Sequence, residues 1–208
     1  MATYITVPVS GLVTRSPPIS GPGHKGELTC LMRSWTRRAG PGALRPPSRD
    51  RPGAWRGLTG AKVGLLVNTK QNADIFLEEV GKLLVEQHGA AGILARTKSA
   101  FAQPAPECLL KELTAECDVV VTGIGDCGSC SASAVADGVA LETRGTPAAV
   151  ICSDAFTGSA DAIAGLRGAP GHQYATTPHP VAVLRPAQVR ERAGAVLPDV
   201  VALLTDPR

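Results

Sequence analysis

From Gly60 onward, short apolar runs alternate with longer segments whose apolar residues recur at helical spacing, and this alternation restricts the fold more than any other feature of the chain. "AKVGLLVNT" (61–69) is apolar and β-branched and ends in polar residues, as a strand buried on both faces does. In "NADIFLEEVGKLLVEQHGA", Ile75, Phe76, Val80, Leu83 and Leu84 share one helical face, and Gly89 supplies a stop. The pattern then repeats. "AGILART" reads as a strand, "PAPECLLKELTAE" as a helix entered through proline, and "CDVVVTGIG" as the third strand. "SCSASAVADGVALETRG" is a helix closed by Gly145, "TPAAVICSDAF" a fourth strand, and "TGSADAIAGLRG" a helix. A weak strand near "HQYATT" leads through "PHPVAVLRP" to the closing helix "AQVRERAGAVLPDVVALL", in which Pro198 is a candidate kink.

The expected architecture is therefore a three-layer α/β domain of Rossmann- or flavodoxin-like type, with a mostly parallel sheet of four to five strands and helices on both faces. Right-handed crossovers favour the strand order 2-1-3-4, which puts the switch point between the first and third strands. Ligands bind there, outside the carboxyl ends of the strands. The loops that meet at that place are "NTKQN" (68–72) and "GIGDCGSC" (123–130), flanked by "SDAF" (153–156) and "PHP" (178–180).

Upstream of this pattern the chain has a different texture. Residues 1–60 hold nine Lys/Arg against Glu27 and Asp50, and they are dense in proline and glycine ("SPPISGPGHKG", "RRAGPGALRPPSRDRPGAWRG"). Such a composition cannot bury enough apolar surface to offset chain entropy, so residues 1–58 are expected to be a basic, largely irregular leader and 59–208 the folded α/β domain. With no Lys/Arg run longer than two in it, a nucleic-acid arm is not expected. No stretch approaches 18 consecutive apolar residues, and the first twenty lack a secretory pattern, so no membrane partner and a cytoplasmic location are expected. At 208 residues and 44% hydrophobic, the chain suffices for one core. Exposed helix faces leave a homo-oligomer open.

The tetrad Cys127-Gly128-Ser129-Cys130 lies at the switch point and admits several readings. Gly123, Gly125 and Gly128 satisfy G-x-G-x-x-G, with Asp154 near the place of a ribose-binding acid, as a dinucleotide site requires. That fingerprint normally follows the first strand, whereas here it follows the third. A thiol site uses more of the residues. A cysteine at a helix start faces unpaired N–H groups and the positive end of the macrodipole, which favour thiolate. A second cysteine three residues on is within reach for a disulfide, so Cys127 would be the exposed nucleophile and Cys130 the more buried resolving thiol. A third reading is two small residues packing at a helix start without chemistry. Structural zinc lacks a second Cys/His pair at ligand spacing, and no metal is expected. Cys30, Cys108, Cys117 and Cys152 read as small buried hydrophobes.

Supporting residues follow from the loops. Asn68, Thr69 and Lys70 stand where they would fix a substrate, Lys70 by charge on a carboxylate or on the thiol. Asn72 suits substrate binding or the N-cap of the first helix. Asp126 is a proton acceptor for Cys127 or a cap for its own helix, with capping favoured. Gly125, Gly128 and Ser129 would line the approach to the sulfur, and Ser153 and Asp154 would close the cleft from the fourth strand. His179, held between prolines, is the candidate general acid or base.

"GAKVGLLVNTKQNAD", "GIGDCGSCSASAVADGVALETRGTPAAVICSDAF" and "PHP" resemble the UGSC family, named for members whose first tetrad position is selenocysteine. The resemblance covers about residues 57–205. It places Cys127 at the selenocysteine position and matches Asp126, Gly128, Ser129 and Cys130 to the rest of the string. Selenocysteine serves redox or nucleophilic chemistry, so the resemblance implies catalysis at Cys127. The family is distantly similar to selenol-bearing subunits of amino-acid reductases. This chain departs from such relatives by carrying sulfur in place of selenium.

The expected function is a thiol-dependent oxidoreductase acting on a small organic molecule, without a bound cofactor and restored by an external thiol reductant. Two alternatives stand beside it. One is a non-redox lyase, hydrolase or transferase using the Cys127 nucleophile, and the other is a small-molecule-binding or redox-sensing module.

Overall fold

The computed structural model describes residues 34–38 and 57–205. In chain order the elements are β1 (Ser34–Arg38), β2 (Lys62–Val67), α1 (Ala73–His88), β3 (Gly92–Thr97), α2 (Glu107–Glu116) and β4 (Val119–Gly125). They continue with α3 (Gly128–Thr143), β5 (Ala148–Ser153), a 3-10 turn (Asp154–Phe156), α4 (Thr157–Leu166), β6 (Ala175–Thr177) and α5 (Pro186–Thr205). The sheet order is β1-β3-β2-β4-β5-β6. The strands β2 to β6 are all parallel. Numbered among themselves, these five run 2-1-3-4-5, the expected order extended by one strand.

Alternate residues of the strands feed two opposite layers. Val63, Leu65 and Val67 of β2 join the cluster built with α1 and α5, while Leu66 joins the cluster built with α2. A smaller third cluster packs α3 and α4 onto Val150 and Cys152 of β5. Because helices cover both faces, β4 is buried at every residue, which is why its sequence is a continuous apolar run and not an alternating one. α1 ends as its sequence indicates, with Gly89 at φ +69° and its N–H donating to Leu84 O. The closing helix runs unbroken through Pro198 from Pro186 to Thr205.

Within the leader, Ser34–Arg38 pairs antiparallel with β3, from Ser34 opposite Arg96 to Arg38 opposite Gly92. This strand is absent from the sequence reading, which treats that stretch as irregular. The physical reason is that β3 would otherwise be a sheet edge with a row of open N–H and C=O groups, and a five-residue segment satisfies them through backbone alone. The rest of residues 1–56 lies outside the described residues. No described helix is long and apolar enough to cross a membrane.

The turn from β4 into α3 is unusually close to its neighbours. A Cβ on Gly125 would fall 2.6 Å from Ser131 Oγ and 2.7 Å from Cys152 Sγ, and one on Gly138 would fall 2.3 Å from Val150 Cγ2. Glycine at these two places lets α3 settle directly onto β5, which brings its amino end to the carboxyl edge of the sheet.

Candidate active site

Cys127 is the N-cap of α3, in extended backbone (φ −164°, ψ 165°). Its Sγ accepts the N–H of Cys130 at 3.3 Å, and its carbonyl accepts the N–H of Ser131 at 2.9 Å. Cysteine sulfur thus takes the place that a serine or aspartate oxygen usually fills at a helix start. Among the described residues, the N–H groups of Gly128 and Ser129 have no hydrogen-bond partner, so two amide donors of the first turn stay open beside the sulfur. Cys127 and Cys130 form a disulfide, with Cα atoms 5.1 Å apart. Cys127 is half-buried and Cys130 fully buried.

Asp126 is placed differently from the expectation. It neither caps α3, a role Cys127 holds, nor accepts from the thiol. Its side chain, 1% exposed, turns to the segment after β6. Oδ2 accepts the N–H of Ala182 at 2.8 Å, and both oxygens lie 3.1 Å from the N–H of Val181. Oδ1 also sits 2.9 Å from His179 Nδ1. Both carboxylate oxygens are turned to three donors on the segment after β6, so the side chain is committed away from the first turn of its own helix and the cap passes to the next residue.

His179 is thereby held against Asp126, the residue before Cys127. Its backbone N–H donates to Asp154 Oδ1 at 3.0 Å, its peptide bond to Pro180 is cis, and its ring meets Phe156 edge to face at 5.2 Å between centroids. Ser153 Oγ donates to Gly125 O at 3.0 Å and stands 3.4 Å from His179 Nδ1. Ser131 Oγ donates to the same Gly125 carbonyl at 3.0 Å. Asn68 is a buried bridge: its Nδ2 donates to Ile124 O at 2.9 Å and its Oδ1 accepts the N–H of Lys70 at 3.0 Å, tying the loop after β2 to the end of β4.

The remaining predicted residues are arranged around this centre. Thr69 is exposed. Lys70 Nζ lies 5.7 Å from the Phe101 ring centroid. Asn72 stands at the N-cap of α1 with φ +69°, yet its side chain makes no cap. Its Nδ2 faces the carbonyls of Val181, Ala182 and Leu184 at 3.0, 3.2 and 3.0 Å, so it holds the 181–184 loop from the side opposite Asp126.

Sequence reasoning missed several contributors. Phe156 and Ser131 are local and could have been found, the first from its place after β5, the second as the residue following the tetrad. Lys98, Ser133 and Asp137 form a buried network that only packing reveals: Lys98 Nζ donates to Asp137 Oδ2 at 2.6 Å, Ser133 Oγ at 2.7 Å and Gln103 O at 2.9 Å. A faint signal existed, since Ser133 and Asp137 are four apart on one face of α3. A cavity of about 460 Å³ beside the amino end of β6, reached by Asp161, His172 and Asp199, shares no residue with the thiol pair and does not bear on its chemistry.

The other cysteines divide by burial. Burial pushes the thiols of Cys117 and Cys152 up to about 12, opposed at Cys152 by a hydrogen bond with Ser131. Cys108, expected to be buried, is exposed on α2, and Cys30 lies outside the described residues. At pH 8 a thiol titrating near 12 is ionised on the order of one part in ten thousand. Alkylation of the reduced, folded protein with iodoacetamide is therefore expected to label Cys127 and Cys108 and to spare Cys117 and Cys152 until denaturant is added. Peptide mapping by mass spectrometry checks this, and rapid labelling of Cys152 in the folded state would contradict it.

None of the curated proteins matches this chain. The model of the UGSC family matches residues 43–206, a span that holds the whole parallel sheet, the thiol pair and the His179 segment, and on that match the chain belongs to the UGSC family.

Proposed function

We propose that the protein is a thiol-dependent oxidoreductase that reduces a small organic molecule with Cys127 as nucleophile and Cys130 as resolving thiol. The observation that carries this reading is the Cys127–Cys130 disulfide at the first turn of α3, with the half-buried member outermost. In the reduced protein, the amide dipoles opening α3 stabilise a thiolate at Cys127. That thiolate attacks an electrophilic atom of the substrate and expels a leaving group with its electron pair. Cys130 thiolate then attacks the Cys127 sulfur, the substrate fragment departs with the pair of the broken bond and takes a proton, and the disulfide remains. An external dithiol returns two electrons and two protons, as the reducing cytoplasm supplies. The open N–H groups of Gly128 and Ser129 face charge that develops beside the sulfur, and Lys70 attracts an anionic substrate.

The test is Cys130→Ser. With hydroxyethyl disulfide as the probe, the variant is expected to stop at a mixed disulfide on Cys127, visible as a mass increase of one mercaptoethanol unit, while the wild-type protein goes on to its internal disulfide. A variant that completes the reaction without accumulating an adduct would remove the resolving role. Turnover of a substrate once identified, with no need for reductant, would favour the non-redox nucleophile instead.

A further inference from the structure

The carboxylate of Asp126, the residue before Cys127, and the ring of His179 stand in a geometry that dictates a proton's position. Nδ1 of His179 faces two acceptors. Asp126 Oδ1, at 2.9 Å, belongs to a carboxyl group whose two oxygens already receive the backbone N–H groups of Val181 and Ala182. Ser153 Oγ, at 3.4 Å, has turned its hydrogen to Gly125 O and presents a lone pair. A ring nitrogen set between two acceptors carries the hydrogen, so the exchangeable position is the other nitrogen, Nε2. Nε2 has no hydrogen-bond partner among the described residues, and the side chain is 37% exposed, whereas Asp126 is sealed. The loop that carries His179 is held on both sides, by Asp126 through backbone N–H groups and by Asn72 through backbone carbonyls. Such double fixing is what a proton-transfer group needs, because its efficiency depends on placement before its acidity matters.

We infer that His179 delivers the proton at Nε2 to the group expelled when the thiol pair is oxidised, and that Asp126 is the positioning residue that fixes its tautomer and place. This rests on the thiol-redox reading above. In the step concerned, Cys130, having released its proton to solvent, attacks as thiolate and bonds to Cys127 sulfur, the bond from Cys127 to the substrate fragment breaks, and its electron pair takes the hydrogen from Nε2 of imidazolium, leaving neutral His179 protonated at Nδ1. Solvent restores the second proton.

The test compares two probes on the pre-reduced, full-length protein. Hydroxyethyl disulfide expels a basic alkyl thiolate that needs a proton, and 5,5′-dithiobis(2-nitrobenzoate) expels an acidic aromatic thiolate that does not. His179→Gln is expected to slow release from the first by about a hundredfold and to leave the second near the wild-type rate. Equal slowing of both probes, or an unchanged rate with the alkyl disulfide, would overturn the assignment. Nitrogen-15 NMR of His179 gives an independent reading: Nδ1 should be the protonated nitrogen of the neutral ring, and Asp126→Asn should shift the ring toward the other tautomer. A neutral wild-type ring protonated at Nε2 would equally overturn it. If Cys127→Ser reacts with both probes as fast as the wild type, the redox reading fails first, and the two failures are thereby distinguished.

Discussion

Replacing Cys127 with serine is expected to abolish reduction of hydroxyethyl disulfide, by about a thousandfold or more, equivalent to about 4 kcal/mol of lost transition-state stabilisation. A serine hydroxyl is not ionised near neutral pH, so the helix terminus that favours a thiolate has nothing to act on. The substitution is also structurally mild. Cys127 is an N-cap whose Sγ accepts the N–H of Cys130, and serine is among the residues best suited to that position. Loss of activity with an unchanged melting temperature would therefore report chemistry alone. The comparison belongs under reducing conditions, because the oxidised wild type gains about 2 kcal/mol from closing even so short a loop with a disulfide. A variant that reduces the probe at the wild-type rate would sink the proposed role of this sulfur, whatever the remaining residues do.

Breaking the Lys98–Asp137 pair is expected to have the largest effect on stability. Lys98 and Asp137 side chains are 2% and 0% exposed, and every donor and acceptor in their contact is used: Asp137 Oδ1 also takes the N–H of Ala105 at 2.7 Å, and Ser133 Oγ donates to Gln103 O at 2.6 Å. Burial holds the Asp137 carboxyl above its ordinary range, and the Lys98 charge opposes that rise. Lys98→Met removes the opposing charge and leaves a sealed carboxylate, which should cost about 3–5 kcal/mol and lower the melting temperature by roughly 10 °C. The pH dependence has a definite sign. A carboxyl with a raised folded-state pKa binds a proton more tightly folded than unfolded, so the variant loses stability as pH rises through that pKa and recovers part of it in acid. Asp137→Leu combined with Lys98→Met should restore most of the loss, because a pair replaced by apolar groups leaves no unpaired charge. Thermal unfolding of the single and double variants at pH 5 and pH 8 measures all of this. A single variant within 1 kcal/mol of wild type would mean that the pair is not dry. The consequence for function is positional: the pair joins the loop after β3 to the helix that carries the thiols.

Individual residues show where sequence reading reached its limit. The parallel sheet was legible because βαβ strands buried on both faces leave continuous apolar runs, and the thiol pair because Cys-x-x-Cys at a strand-to-helix turn is a local pattern. Cys108 was misjudged because an amphipathic helix tells which spacing is apolar but not which face its odd member takes. Ser34–Arg38 escaped because an edge strand is recruited by another strand's open backbone, a property of the partner and not of its own residues.

Asp126 and Asn72 mark the boundary most clearly. Their short-range options are a helix cap for either, a proton from Cys127 for Asp126 and a substrate contact for Asn72, yet each side chain holds the segment 179–184, more than fifty residues away for Asp126 and more than a hundred for Asn72. Local chemistry, set by residue type and spacing within a few positions, was determined by the amino-acid sequence alone: the layered fold, the switch point, and a sulfur at the start of a helix. Only the tertiary structure decided which polar groups face one another across the carboxyl edge of the sheet, because a buried donor or acceptor bonds to whatever partner the packed chain brings within about 3 Å, and that partner's distance along the sequence does not enter the energy.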